Sequence, residues 1–371
     1  MLATIALYLR QAMLIAYLAL GIILGPGTLG LVSDATLIQE IARIGIIFLL
    51  FLLGLNLAPE KLLRLLKETT LITLFSTLVF AGFAALIGVL FGFGGQDLLL
   101  IGVCAAFSST IIGLKLLPTT VLHHRHTGEV IISVLLLQDL LAILALLFLH
   151  GAGGEGTPIA GIALRLVALP ILVLVAWAGQ KWFLTPLFMK FDRIQEYIFL
   201  LTIGWCLSFA QLAHSVGLSH EIGAFVAGVA IASSPVALHI AESLKPLRDF
   251  FLVMFFFALG AGFDPAATAE VWLPALLLAG GLLIIKPVVF RFLLVKQSET
   301  NRLGWETGVR LGQMSEFSLL IVFVAIQNNA TSPEAANLIQ LATIISFIVS
   351  TYWIVMKYPT PIAVKDELRR D

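Results

Sequence analysis

Charge is scarce in this chain. Only 12% of its 371 residues are Asp, Glu, Lys or Arg, about half the share of an ordinary soluble protein. Neither sign is in excess, with 22 basic and 22 acidic residues, so the balance gives no argument for a nucleic-acid partner and none is expected. Cysteine is nearly absent: Cys104 and Cys206 both sit inside apolar runs, which excludes a disulfide framework and a cysteine metal site. A soluble domain, a low-complexity tract and a long linker are all missing. The first residues lack a charged start and a small-residue cleavage site, and Arg10 interrupts them, so no cleavable signal peptide is expected.

What remains is hydrophobic. Apolar residues make up 60% of the chain and the mean hydropathy is +1.04, which identifies an all-α polytopic membrane protein. Twelve hydrophobic segments can be drawn, at 3–24, 36–57, 69–93, 98–118, 128–149, 158–179, 194–214, 218–234, 248–264, 271–295, 304–327 and 334–356. Lys and Arg fall in every second connection: Lys61, Arg64 and Lys67, then Arg125, then Lys181, Lys190 and Arg193, then Lys245 and Arg248, then Lys296 and Arg302. The connections between them hold none. Such alternation supports twelve spans with both termini in the cytoplasm.

The chain also repeats itself. Gly54–Pro59 recurs as Gly260–Pro265, a shift of 260 − 54 = 206, and Ser108–Thr110 falls on Met314–Glu316 at the same shift. Gly21–Pro26 resembles Gly228–Pro235, which begins one residue off that register. Segments one to five therefore correspond to segments eight to twelve. The offset of seven spans is odd, so the halves enter the membrane in opposite senses, as inverted repeats of secondary transporters do. The expected layout is a transmembrane domain over 1–357, with repeat one at 3–149, linking helices at 158–214, repeat two at 218–356 and a short tail at 358–371.

Polar residues inside these spans are the candidates for chemistry. Asp139 lies about ten residues from either end of the run Gly128–Leu149. A carboxylate at that depth costs roughly 2.5–3.5 kcal/mol even on the lenient insertion scale, and marks a transport site by default. The bland alternative is a lone polar group bonded to a neighbouring helix. Ser108, Ser109 and Thr110 in segment four, and Gln313, Ser315 and Glu316 in segment eleven, mark the pair of helices expected to break at midspan. Serines that merely bond the preceding turn are the competing reading. Lys286, before Pro287, reads as an interior lysine and Glu316 as a counter-charge. Arg310, Lys115 and Arg165 read as helix-end anchors, and Glu221 beside His220 as a solvated loop residue. Three further signals lead nowhere. Gly25–Gly30 matches a dinucleotide-loop pattern but follows a membrane span and reads as a turn; His123, His124 and His126 read as a solvated cluster; and Asn329–Thr331 is a bare glycosylation sequon.

These residues resemble a known family. GIILGPGTLG (Gly21–Gly30), FLLFLLGLNLAPE (Phe48–Glu60), Ser108–Thr110, LLQDLLAI (Leu136–Ile143), GAFVAGVAIAS (Gly223–Ser233), FFFALGAGFD (Phe255–Asp264) and GQMSEF (Gly312–Phe317) are similar to the membrane domain of Kef-type potassium efflux systems, within the cation:proton antiporter superfamily. The resemblance spans 10–356. It implies the sodium/proton antiporter-like fold with crossed broken helices, thirteen helices in a homodimer, and an elevator-like core. It also implies an Asp, here Asp139, that alternates between proton and cation beside Gln138, with Ser108–Thr110 and Gly312–Glu316 as the broken helices and Lys286 as the core lysine. One N-terminal helix and the cytoplasmic nucleotide-binding domain have no counterpart, and 235–249 retains part of an acidic regulatory loop. The expected function is exchange of a monovalent cation, foremost potassium, for protons in a bacterial inner membrane. Sodium:proton exchange, a gated cation channel and a non-ionic or organic-anion carrier are the alternatives. No cofactor, resident metal or enzymatic activity is expected; the partners are the ions, the lipid bilayer, a second copy, and a separate cytoplasmic regulatory subunit where one exists.

Overall fold

A computed structural model describes residues 2–8, 11, 13–32, 34–56, 59–118, 126–152, 158–191, 194–234, 237–263, 267–361 and 363. The elements are helices throughout: α1 (Leu2–Tyr8), α2 (Met13–Leu24), α3 (Ala35–Asn56), α4 (Pro59–Leu90), α5 (Gly95–Ala106), α6 (Thr110–Lys115), α7 (His126–Ala152), α8 (Pro158–Gly179), α9 (Thr185–Lys190), α10 (Gln195–Ser215), α11 (His220–Ala232), α12 (Ala237–Ser243), α13 (Lys245–Ala261), α14 (Trp272–Lys296), α15 (Asn301–Arg310), α16 (Glu316–Gln327) and α17 (Pro333–Lys357). A π-turn at Gln180–Leu184 joins α8 to α9, and a 3-10 turn, Ala267–Glu270, precedes α14.

Every expected apolar segment is helical, and among the described residues seven helices are long and apolar enough to cross a bilayer, with three shorter apolar ones at Met13–Leu24, His220–Ala232 and Glu316–Gln327. Segments 98–118 and 304–327 each break into two helices, as expected. Segment 3–24 also breaks, which the sequence reading missed: α1 ends at Tyr8, and Gln11 N donates to Ala6 O at 2.8 Å before α2 begins. The 12 residues of α2 cover about 18 Å, well short of a 30 Å hydrocarbon core.

The chain divides into two compact units. One comprises 1–33, 65–146 and 259–371, the other 34–64 and 147–258. The second is built on α3 against α11, with Phe51, Leu55, Trp205, Phe209, Ala224, Ala227 and Ile231 in its core. Two glycines set that contact. A Cβ on Gly54 would strike the Phe225 carbonyl and lie 2.9 Å from Val229 N; a Cβ on Gly228 would strike the Phe51 carbonyl.

The first unit holds the matching contact. A Cβ on Gly260 would strike the Leu18 carbonyl and lie 3.1 Å from Ile22 N. The shifts are 260 − 54 = 206, 225 − 18 = 207 and 229 − 22 = 207. In each case the glycine of one repeat's second helix packs on the first helix of the other repeat. The two repeats thus exchange helices, and the one-residue slip seen in the sequence is the register of that contact.

Local starts follow the sequence. Ser332 caps α17 by accepting from Ala335 N at 3.2 Å, with Pro333 at the first helical position. Ser219 caps α11 and Thr300 caps α15 in the same way, at 3.3 and 3.2 Å.

Candidate functional site

The site grows from the two breaks, which lie in the first unit. Helix α5 ends where Phe107 turns extended (φ −95°, ψ 157°); Ser109 is also extended (φ −69°, ψ 117°), and its Oγ accepts from Ile112 N at 3.1 Å to start α6. Helix α15 ends at Arg310, and Ser315 Oγ accepts from Phe317 N at 3.0 Å to start α16. An unwound backbone in a membrane interior must find partners. Here each break supplies the other. Ser108 Oγ donates to Leu311 O (2.8 Å), Gln313 Nε2 to Ser109 O (3.4 Å) and Ile111 N to Glu316 Oε1 (3.1 Å). One turn away, the Cys104 thiol donates to Ser318 O at 3.6 Å while the Ser318 hydroxyl donates to Cys104 O at 2.5 Å.

Charge then sorts by helix polarity. Lys286, on α14 and fully buried, donates from Nζ to Phe107 O (2.7 Å), Gln313 O (2.9 Å) and Ser108 Oγ (3.2 Å), and lies 5.3 Å from the Phe80 ring centre. Its Nζ therefore sits at the carbonyl end of α5, where a helix dipole favours a cation, and takes a second carbonyl from the break between α15 and α16. The carboxylates take the amide ends: Glu316 bonds the first turn of α6, and Thr110, the first residue of α6, donates its hydroxyl to Asp139, whose two oxygens lie 3.1 and 3.0 Å away. A single O–H is shared between those two oxygens.

Asp139 is 1% exposed. Beside it, Gln138 Oε1 accepts from Ser108 N at 3.0 Å, while Gln138 Nε2 and Glu316 Oε2 are buried with no hydrogen-bond partner. Gln313 Oε1 accepts from Ser350 Oγ at 2.8 Å, an outer support supplied by α17. Asp139, Gln138, Ser108, Ser109, Thr110, Lys286, Glu316 and Gln313 thus meet in one network, and Ser315 serves its own helix start. Taking a carboxylate out of water costs several kcal/mol, and one hydroxyl bond to a charged group returns about 1.5–3. A carboxylate held this way is compensated when it carries a proton or faces a cation. The oxygen-rich surroundings suit a hard monovalent ion.

Two sequence expectations are corrected. Arg310 does end α15, but it is buried and holds more than its own helix end. It is 1% exposed, with Nε on Glu306 Oε1, Nη1 on Leu116 O and Nη2 on Pro359 O, each at 3.0 Å. The clue was Glu306 four residues earlier within an apolar segment, an i,i+4 ion pair. Glu221 is no loop residue; it lies in the first turn of α11 and is 7% exposed. The remaining signals fall as follows. Gly25–Gly30 is a turn closed by Gly30 N on Gly25 O at 2.9 Å, with Gly30 at φ 63°. The sequon's Thr331 donates to Asp97 Oδ1 at 2.9 Å. His123, His124 and the side chains of His126, Lys115 and Arg165 lie outside the described residues.

A family model described as sodium/hydrogen exchanger, transmembrane, matches residues 1–357. The chain belongs to the sodium/hydrogen exchanger family. It is accordingly an integral, multi-pass membrane protein of a cation:proton antiporter family. This exchanger-family chain is 31% identical over 348 residues to the glutathione-regulated potassium-efflux system protein KefC of Escherichia coli strain UMN026, covering 92% of the chain and 56% of that protein. It is 31% identical over 360 residues to the KefC of Salmonella newport, covering 95% of the chain and 57% of the relative. The chain thus spans a little over half the length of these curated relatives. The exchanger fold is shown independently by the sodium proton antiporter MjNhaP1 of Methanocaldococcus jannaschii, with a TM-score of 0.69 at 18% identity over 95% of this chain and 93% of that one.

Proposed function

We propose that this chain exchanges a monovalent cation for protons by alternating access at Asp139, with potassium as its preferred cation. The observation that carries this is the burial of the Asp139 carboxylate with one hydroxyl as its hydrogen-bond partner. A group so placed trades a proton for a cation at little net cost, because either one restores its compensation. Lys286 makes no hydrogen bond to Asp139; its Nζ is taken up by two backbone carbonyls and a hydroxyl. It therefore leaves the carboxylate free for the transported ion.

Potassium follows from field strength. Glu316 spends one oxygen on the Ile111 amide, and Gln138 supplies a neutral amide where a second acid would strengthen the field. A weak-field site recovers less of sodium's larger dehydration cost and favours the larger ion. The potassium-efflux name of the relatives agrees with this reading. One carboxylate that releases one proton per cation makes the exchange electroneutral. The same reading places the protein as a homodimer in a bacterial inner membrane with both termini cytoplasmic, open to a separate regulatory subunit.

One observation favours sodium instead: Glu316 Oε2 is buried and unpartnered, and turned on the ion it would make the field that of two carboxylates. Proteoliposomes decide between them. Proton efflux should be driven by potassium more strongly than by sodium, and not by choline, with saturation in the cation. Asp139→Asn should fold and be inactive. Exchange by that variant at wild-type rate sinks the assignment, and non-saturating flux with no proton coupling would mark a channel.

A further inference from the structure

The half-helix that carries Thr110 is too short to hold its own place. Helix α6 has six residues, about 9 Å of helix, and a run of that length is not stable alone. Both of its ends are held by the other broken segment. At the amide end, Glu316, the first residue of α16, accepts from Ile111 N at 3.1 Å. At the carbonyl end, Arg310, the last residue of α15, donates from Nη1 to Leu116 O at 3.0 Å. An acid at the first turn and a base at the last both complement the α6 dipole.

Arg310 is engaged beyond this. It is 1% exposed, its Nε and Nη2 both reach Glu306 Oε1 at 3.0 Å, Nη2 also donates to Pro359 O at 3.0 Å, and the Tyr358 ring centre lies 5.4 Å from its guanidinium carbon. A guanidinium is costly to bury, and nothing in the ion-binding chemistry uses it directly. Its three acceptors do share one consequence, because they join α15, the end of α6 and the segment after α17.

We propose that Arg310 is a positioning residue for the exchange site: with Glu316 it clamps α6 end to end, holding the Thr110 hydroxyl on the Asp139 carboxylate. Through Pro359 the same clamp ties the segment that follows α17 to the half-helix bearing Thr110. The inference rests on the exchange reading above. Lysine would keep the charge but not the fork, since one Nζ cannot span Glu306, Leu116 and Pro359 in the plane that a guanidinium fits.

Arg310→Lys, Thr110→Ala and the double variant, assayed in proteoliposomes per folded molecule, separate positioning from mere support. If Arg310 acts through Thr110, Arg310→Lys raises the cation KM by about fivefold or more, moves the pH profile in the direction that Thr110→Ala moves it, and adds less than about twofold on top of Thr110→Ala. Should Arg310→Lys fail to fold, Glu306→Gln, which leaves the Leu116 and Pro359 bonds in place, should give the same pattern at smaller size. Lower folded yield with KM and pH profile unchanged, or an effect that multiplies fully with Thr110→Ala, overturns the inference. A structure of the Arg310→Lys variant reads the clamp without reference to transport: Thr110 Oγ1 should leave the Asp139 oxygens, and finding it unmoved overturns the clamp. Absence of exchange by the wild type would instead overturn only the exchange reading.

Discussion

Thr110→Val tests the site at its narrowest point. The substitution keeps the branched shape and removes the one hydroxyl that Asp139 shares between its two oxygens, at 3.0 and 3.1 Å. A hydrogen bond to a charged group contributes about 1.5–3 kcal/mol. One O–H serves both oxygens and Thr110 is part-buried, which places the loss in the lower half of that range, about 1.5–2 kcal/mol. At about 1.4 kcal/mol per tenfold, the ionised carboxylate becomes about 10- to 30-fold harder to form. The lost bond favours the ionised form, so the proton is held more tightly without it. The pH of half-maximal exchange should therefore move upward, by about 1–1.5 units. At a fixed pH the apparent cation KM should rise by about 10- to 30-fold, while the maximal rate at saturating cation and high pH changes far less. The assay is dye-reported proton efflux from liposomes across a pH series, with folded protein measured by gel filtration. A KM within about twofold of wild type, together with an unmoved profile, would refute the claim that this hydroxyl compensates the carboxylate.

Lys286→Met leaves the Phe107 and Gln313 carbonyls without the donor they now share; at about 1–3 kcal/mol for each unsatisfied group, thermal unfolding in detergent should occur at clearly lower temperature, and an unchanged Tm would contradict the bridging role. Gly54→Ala and Gly260→Ala should disrupt folding to similar degrees, because both meet a backbone carbonyl of the other repeat, whereas Gly82→Ala, with nothing within 4 Å, should be silent; unequal losses at Gly54 and Gly260, read by folded yield, would argue against the exchanged-helix contact. Gln138→Asp should shift preference from potassium toward sodium, read as the ratio of their half-saturating concentrations. In voltage-clamped liposomes wild-type exchange should not track membrane potential, and a rate that follows it would reject the electroneutral count.

Much of this protein was legible in order along the chain. The twelve apolar runs, the basic connections and the repeat at 206 residues are local properties of composition and spacing; the runs are met by helix among the described residues, and two glycines 206 residues apart make matching contacts. Asp139 was legible for the same reason: the cost of a carboxylate in hydrocarbon depends on how far it lies from the ends of its own run, whatever its neighbours are. The two midspan breaks could be read from paired polar clusters at equal repeat positions.

Other features had little local signature. Arg310 is marked along the chain only by Glu306 four residues earlier, until Leu116, 194 residues away, and Pro359, 49 residues away, come to its guanidinium. Lys286 finds its partner Phe107 across 179 residues, and Glu316 finds the Ile111 amide across 205. Whether a buried charge is an anchor, a clamp or a ligand depends on the dipoles and carbonyls that surround it. In this fold the Phe107 and Leu116 carbonyls and the Ile111 amide come from the opposite repeat, so only the tertiary structure could assign them. The break between α1 and α2 has a faint signature in Arg10 and Gln11, but hydropathy averaged over 3–24 records an apolar run and is blind to where the backbone within it turns.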